Sequence, residues 1–279
     1  MNKIKVANSD LKIPEIALGC MRIGEMPLHE VNKLINTAMD EGITFFDHAD
    51  IYGGGKSEEV FASAVKMTPA KREQMILQSK CGIREGFFDF SRKHILQSVD
   101  GILKRLQTDY LDILLLHRPD SLVEPEEVAD AFDLLYKSGK VLNFGVSNQN
   151  PMQIELLKKY VKQPLLFNQL QLSIMRTGMI DAGLNVNMKV ENSLDHDGSI
   201  LDYCRLTELN KVIDKLAKKY TVTNSAIAVA WILRHPARIQ TIIGTTNSTR
   251  VSHMAKASHI RLSREEWYEI YRSAGNILP

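Results

Sequence analysis

Short β-branched or aromatic runs alternate along this chain with longer amphipathic segments, the pattern of strand followed by helix. The candidate strands are Glu15–Gly19, Thr44–Asp47, Met75–Lys80, Leu111–Leu116, Val141–Gly145 and Leu165–Gln169, with Ile239–Ile243 much later. Between the first six, the spacing predicts helices near Leu28–Asp40, Ser57–Lys66, Ser91–Leu106, Glu124–Ser138 and Met152–Tyr160. Ser91 is placed to cap its helix, and Gly42 and Gly139 stand where helices stop. The unbroken apolar run Ile113–Leu116 reads as a strand buried on both faces, as a parallel sheet requires. Repeated strand–helix units with short links imply parallel strands and right-handed crossovers. So many units in 279 residues favour one closed (β/α)8 TIM barrel spanning residues 1–279, with an open doubly wound sheet as the alternative. Asp10 and Lys12 flank a short hairpin expected to cap the barrel bottom.

Composition narrows the function classes. Hydrophobic residues are 44% and charged residues 24%, enough apolar material for a sizeable core. The net charge of +2 provides no global field for nucleic acid or an anionic membrane. Lys211, Lys215, Lys218 and Lys219 read as a solvated helix face. The longest apolar run, Ala226–Leu233, is too short to span a bilayer and reads as helix core; Trp267, Tyr268 and Tyr271 are expected to pack. The first ten residues lack the apolar stretch of a signal peptide. Cys20, Cys81 and Cys204 form neither a disulfide framework nor a zinc site, so a cytoplasmic location is expected and no metal. The sequence says nothing of oligomeric state.

Neither Leu18-Gly19-Cys20-Met21 nor Gly53-Gly54-Gly55 has the spacing of a Rossmann or P-loop fingerprint. In a barrel, the polar residues at strand ends converge on one mouth. Here the second strand ends in Asp47 and leads to Tyr52, the third ends in Lys80, the fourth in His117 and the fifth in Ser147-Asn148. A phenol with a pKa of about 10 is a poor proton relay alone. A neighbouring ammonium, Lys80, would lower that pKa, and a carboxylate, Asp47, would keep the ammonium charged. An imidazole, His117, could orient a carbonyl oxygen while the phenol protonates the alkoxide formed as hydride reaches carbon. A nicotinamide then carries the hydride, and no protein nucleophile is needed.

These positions are where the chain resembles the aldo-keto reductase superfamily, in a bacterial oxidoreductase subgroup. The resemblance runs in order through Phe46–Gly53, Ser79–Gly82, Leu116–Asp120, Gly145–Asn148, Asn168-Gln169 and Ile243–Asn247 with Arg250, over roughly residues 15–175 and 207–275. It implies a catalytic tetrad of Asp47, Tyr52, Lys80 and His117, with Tyr52 the general acid. It implies that Ser147, Asn148 and Gln169 hold the nicotinamide carboxamide, and that Gly19 and Met21 lie near cofactor and substrate. Thr245, Thr246, Asn247 and Arg250 would bind the adenosine 2′-phosphate, beside Gly244 where many relatives place Lys. NADP(H) is therefore the expected cofactor and a small-molecule aldehyde or ketone the expected substrate. His48 stands where Thr is common in the family.

One part of the pattern breaks. Past the sixth strand the spacing predicts helices at Ile200–Arg205, Glu208–Lys219 and Ser225–Arg234, then Ser248–Lys256 and Arg264–Ser273. A seventh strand is missing between Leu206 and Thr207. Either residues are lacking from the sequence as read, or a strand has been deleted, or the alternating segment Leu184–Val190 serves instead. The break motivates a second function class, an NADP-binding regulatory or weakly active barrel. A barrel isomerase or lyase with a Schiff base on Lys80 is a third.

Overall fold

The computed structural model describes residues 1–7, 9–180 and 200–276, with the backbone alone for 200–207. Its residues form two compact bodies: Asn2–Leu170 with Ile242–Val251, and Gln171–Thr241 with Ser252–Pro279.

The first body opens with an antiparallel hairpin, β1 (Lys3–Lys5) and β2 (Lys12–Pro14). Its apolar side chains Val6 and Ile13 are buried in one cluster with Ala17, Phe45, Ile113 and Leu115 of the strands, so the expected hairpin is present and packs on the sheet. Then follow β3 (Ile16–Gly19), α1 (Leu28–Asp40), β4 (Phe45–Asp47), α2 (Lys56–Val65), the short α3 (Pro69–Arg72) and β5 (Ile76–Cys81). A small hairpin, β6 (Ile83–Arg84) and β7 (Phe87–Phe88), precedes α4 (Arg92–Leu106). The series continues with β8 (Leu111–Leu116), α5 (Pro125–Lys137), β9 (Val141–Ser147), α6 (Pro151–Lys158) and β10 (Leu165–Gln169).

Local chemistry explains the boundaries. The Ser91 hydroxyl accepts from the His94 amide at 3.3 Å and starts α4. Gly42 and Gly139 adopt φ of 78° and 72°, the left-handed geometry that ends α1 and α5. Asn150 and Gln153 form a reciprocal capping box at α6. Ile113–Leu116 in β8 are fully buried, which the sequence expectation of a two-faced strand requires.

The main sheet has the order β10-β9-β8-β5-β4-β3-β11, where β11 is Thr241–Ile243. The five pairings from β3 to β10 are parallel. Chain order and spatial order agree from β3 to β10, and the last strand lies beside the first. An open doubly wound sheet reverses direction at a switch point; this one does not. The register brings the strand ends level: Gly19 pairs with Asp47, Asp47 with Gln78, Cys81 with Leu116, Leu116 with Val146, and Ser147 with Gln169.

The second body contains α7 (Ile200–Tyr220), α8 (Asn224–Leu233) and α10 (Arg264–Ser273), while α9 (Ser248–Ala255) starts in the first body. Trp231 and Trp267 stack with centroids 4.7 Å apart, and each indole N–H donates to the other residue's carbonyl. These tryptophans pack, as expected. Lys215 and Lys219 remain solvated while pairing with Glu269 and Glu266. The two helices expected at Ile200–Arg205 and Glu208–Lys219 are one: α7 runs through Leu206 and Thr207 without interruption. Leu184–Val190, the alternative strand, lies outside the described residues. No seventh barrel strand occurs among the described ones.

Candidate active site

The site is built on the ends of β3, β4, β5, β8, β9, β10 and β11, all in the first body. Successive residues of a strand face opposite sides, so Gln78 and Lys80 on β5 share a face, and Asp47 closes the neighbouring strand. The Lys80 ammonium lies 2.7 Å from Asp47 Oδ1 and 3.1 Å from the Tyr52 hydroxyl, and it donates to the His48 carbonyl at 2.7 Å. Lys80 is 1% exposed. Burial works against its charge, but Asp47 and the Tyr52 oxygen more than offset this, and its pKa stands above the usual value for lysine. The Tyr52 and His117 rings meet edge-on with centroids 6.0 Å apart. The structure thus brings Asp47, Tyr52, Lys80 and His117 together from three separate strand–loop segments.

Two titrations differ from what the residues alone imply. Lys80 does pull the Tyr52 phenol downward, but burial is the larger effect, and the net shift is upward from 10.0. Tyr52 is therefore protonated at neutral pH. Burial, with Lys80 and Arg118 adding repulsion, lowers His117 to about 3. Its imidazole is neutral, and its buried Nδ1 has no hydrogen-bond partner among the described residues. His48 is likewise held at about 3 by burial and Lys80, with both ring nitrogens unpartnered among the described residues and the ring edge-on to Phe61.

Of the expected cofactor residues, Ser147, Asn148 and Gln169 are joined by hydrogen bonds to each other and to this group. Ser147 Oγ donates to the Gln169 carbonyl at 3.1 Å and accepts from Asn148 Nδ2 at 2.9 Å. Asn148 takes a left-handed φ of 59°, which Asn tolerates better than most residues. The Gln169 amide donates to Asp47 Oδ2 at 3.3 Å and accepts from Gln78 at 3.0 Å, leaving one amide hydrogen and one lone pair for a ligand. Gln78 also donates to Asp47 Oδ1 at 2.6 Å. The sequence reading missed Gln78, although a polar residue two places before Lys80 in an apolar strand points to the same interior.

Gly19 lies against β11: a Cβ there would stand 3.1 Å from Ile242 Cγ2. Met21 is exposed at the first strand end, its carbonyl held by Ser57 Oγ at 3.2 Å. After β11, a side chain at Gly244 would meet nothing within 4 Å. Asn247 Oδ1 accepts from the Arg250 amide at 3.0 Å, and Thr245 Oγ1 accepts from the Asn247 amide at 3.2 Å, so both residues shape the start of α9. The Arg250 guanidinium has no partner among the described residues. Thr246 lies between Thr245 and Asn247 in the same exposed segment. No cluster of His, Cys, Asp or Glu suited to a metal ion occurs among the described residues. No described helix is long and apolar enough to cross a membrane.

Comparison with known proteins extends this picture. The Aldo/keto reductase family model matches residues 15–192 and 175–274. The chain is 34% identical over 295 residues to the "Uncharacterized oxidoreductase YcsN" of Bacillus subtilis (strain 168), with 97% of each chain covered. It is 33% identical over 290 residues to a 6-dehydroglucose reductase of Agrobacterium fabrum, again with 97% of each covered. Among solved structures, the glycerol dehydrogenase AKR11B4 from Gluconobacter oxydans superposes with a TM-score of 0.81 at 24% identity, covering 97% of this chain and 94% of that one. The thermostable aldo-keto reductase Tm1743 gives a TM-score of 0.78 at 24% identity, covering 98% and 100%. These two likenesses establish the (β/α)8 barrel as the fold. The YcsN alignment also bears on the missing strand. Since 97% of 279 residues is about 271, about 24 of the 295 aligned positions have no residue in this chain.

Proposed function

The chain belongs to the aldo/keto reductase family, and on that premise we propose that it is an NADPH-dependent oxidoreductase reducing an aldehyde or ketone to an alcohol, with Tyr52 as general acid. The observation that carries the reading is the position of the Lys80 ammonium, 2.7 Å from Asp47 and 3.1 Å from the Tyr52 hydroxyl. The protein acts as a single domain in the cytoplasm on a small-molecule substrate.

The residues present fit a nicotinamide dinucleotide phosphate. Ser147, Asn148 and Gln169 supply hydroxyl and amide groups beside the tetrad, suited to a carboxamide. The Arg250 guanidinium at the start of α9, without a partner among the described residues, suits a 2′-phosphate, with Thr245, Thr246 and Asn247 alongside and Gly244 leaving room. When bound, the nicotinamide supplies the hydride. The rest is the work of this chain. Burial keeps Tyr52 protonated, so the phenol has a proton to give. Lys80 stabilises the phenolate left behind, and Asp47 keeps Lys80 charged. Neutral His117 adds one hydrogen-bond donor near the phenol without a competing cation, which orients the carbonyl oxygen. Gln78 and Gln169 hold the Asp47 carboxylate in place.

The test is carbonyl reduction with NADPH and with NADH on a panel of aldehydes and ketones that includes 6-dehydroglucose, and the reverse oxidation of glycerol with NADP+, the compounds in the relatives' names. Tyr52→Phe is expected to lower kcat by at least 100-fold while NADPH still binds, read by nucleotide fluorescence. Turnover unchanged in that variant would end the assignment. The chain's shortness by about 24 aligned positions favours one second reading, a nucleotide-binding barrel with little turnover. Tight NADPH binding with no carbonyl reduced would support it.

A further inference from the structure

Tyr52 begins a turn, Tyr52–Gly55, whose other three residues are glycines with φ of 58°, 63° and 93°. Such a turn brings no side chains of its own beyond the phenol, so the force that keeps Tyr52 facing Lys80 comes from outside it. One ion pair stands behind it, its carboxylate buried and its guanidinium 24% exposed. Glu58, in the first turn of α2, is fully buried; its Oε1 accepts from Ser79 Oγ at 2.7 Å and its Oε2 from Arg105 Nε at 2.8 Å. Ser79 directly precedes Lys80, on the opposite face of β5. Arg105 reaches over from the last turn of α4 and lies against the turn itself: a Cβ at Gly55 would stand 2.8 Å from Arg105 Cδ and Nε. The entry to the turn is tied to the same strand, because the Asp50 amide donates to the Lys80 carbonyl at 3.0 Å.

We propose that Glu58 and Arg105 are positioning residues, an ion pair that clamps the Tyr52–Gly55 turn between β5 and α4 and so sets the Tyr52 hydroxyl at bonding distance from Lys80. Neither side chain touches the tetrad; each acts through the turn and through Ser79. The inference rests on the reading of Tyr52 as proton donor. It deepens that reading by naming what holds the donor. A buried carboxylate is a costly way to fasten one helix, and removing one partner of such a pair leaves the other charge stranded. The pair therefore has one tight geometry, which suits the placing of a proton donor.

The experiment compares Glu58→Gln, Arg105→Lys and Gly55→Ala, each in the wild-type and the Tyr52→Phe background. Rates are expressed per NADPH-binding site counted by fluorescence titration, so unfolded protein does not enter. Glu58→Gln keeps the shape and an acceptor for Ser79, Arg105→Lys keeps the charge without the planar fork, and Gly55→Ala keeps both charges while displacing Arg105. In the wild-type background each is expected to lower kcat ten- to a hundredfold, with KM for NADPH changed less than threefold. In the Tyr52→Phe background none lowers the residual rate further, because no donor remains to misplace. A kcat within twofold of wild type in Glu58→Gln and Gly55→Ala, or equal losses in both backgrounds, would overturn the proposal. If Tyr52→Phe alone turns over like wild type, the reading of Tyr52 fails instead, and the two failures are told apart.

Discussion

A buried ammonium persists only where neighbours replace the water it has lost, and Lys80 has three: Asp47, the His48 carbonyl and the Tyr52 hydroxyl. Lys80→Met removes the charge and leaves the Asp47 carboxylate buried beside Gln78 and Gln169 alone. That is expected to cost about 3–5 kcal/mol in urea denaturation. Adding Asp47→Asn should recover part of the loss, since an amide is cheaper to bury than an unpaired carboxylate. If the double variant is no more stable than Lys80→Met, the pairing argument is wrong. At this scale the strand-end positions of Asp47, Tyr52, Lys80 and His117 were legible in the sequence, because parallel strands deliver their last residues to one side. The direction of the Tyr52 shift was not. It turns on burial outweighing Lys80, and burial depends on the whole surrounding shell.

Among the elements, β9 and β10 approach closely where Gly145 faces Phe167, and the glycine permits it. A Cβ at Gly145 would stand 2.6 Å from the Phe167 carbonyl oxygen and 2.8 Å from Leu115 Cδ2. Gly145→Ala is therefore expected to destabilise the fold by about 1–3 kcal/mol through overpacking, read as a fall in urea midpoint at unchanged slope. Because β9 ends in Ser147, leads to Asn148 and pairs with β10 at Gln169, the same variant should also weaken NADPH binding severalfold. Binding equal to wild type would separate the two strands from the cofactor. Long elements were readable because their periodicity repeats over several turns. The hairpin β6–β7 was not, since two strands of two residues each carry no period. Nor was the capping box Asn150–Gln153, which was present in the sequence as an Asn-Pro-x-Gln run but overlooked. The division of Ile200–Arg205 from Glu208–Lys219 failed because both segments are helical and nothing between them stops a helix.

For the molecule as a whole, stability should depend on pH through groups titrating differently when folded. His48 and His117 are neutral in the folded chain down to about pH 3, but gain a proton near 6.5 when unfolded. Protons thus favour the unfolded state, and stability falls as pH drops from about 6.5 toward 3, by about 1.4 kcal/mol per unit and per histidine at most. Asp50 acts in the opposite sense. Burial and the Glu58 charge raise it from 3.8 to about 6, so its contribution is full below about 4 and is lost as pH rises through 6. Asp50→Asn should therefore gain on wild type between pH 4 and 7, by roughly 2–3 kcal/mol, in urea denaturation at fixed salt. His48→Phe should flatten the acid limb. A wild-type stability constant from pH 7 to 4, unchanged by either variant, would refute both shifts.

The sequence by itself determined the alternation of strand and helix, the parallel order and the residues that end each strand, because periodicity and chain direction are local and survive in one dimension. Tertiary structure decided which of those ends meet, that the phenol keeps its proton, that Gln78 joins the site and that a glutamate and an arginine grip the turn behind it. Distance, burial and shared charge arise only when segments far apart in the chain exclude water together.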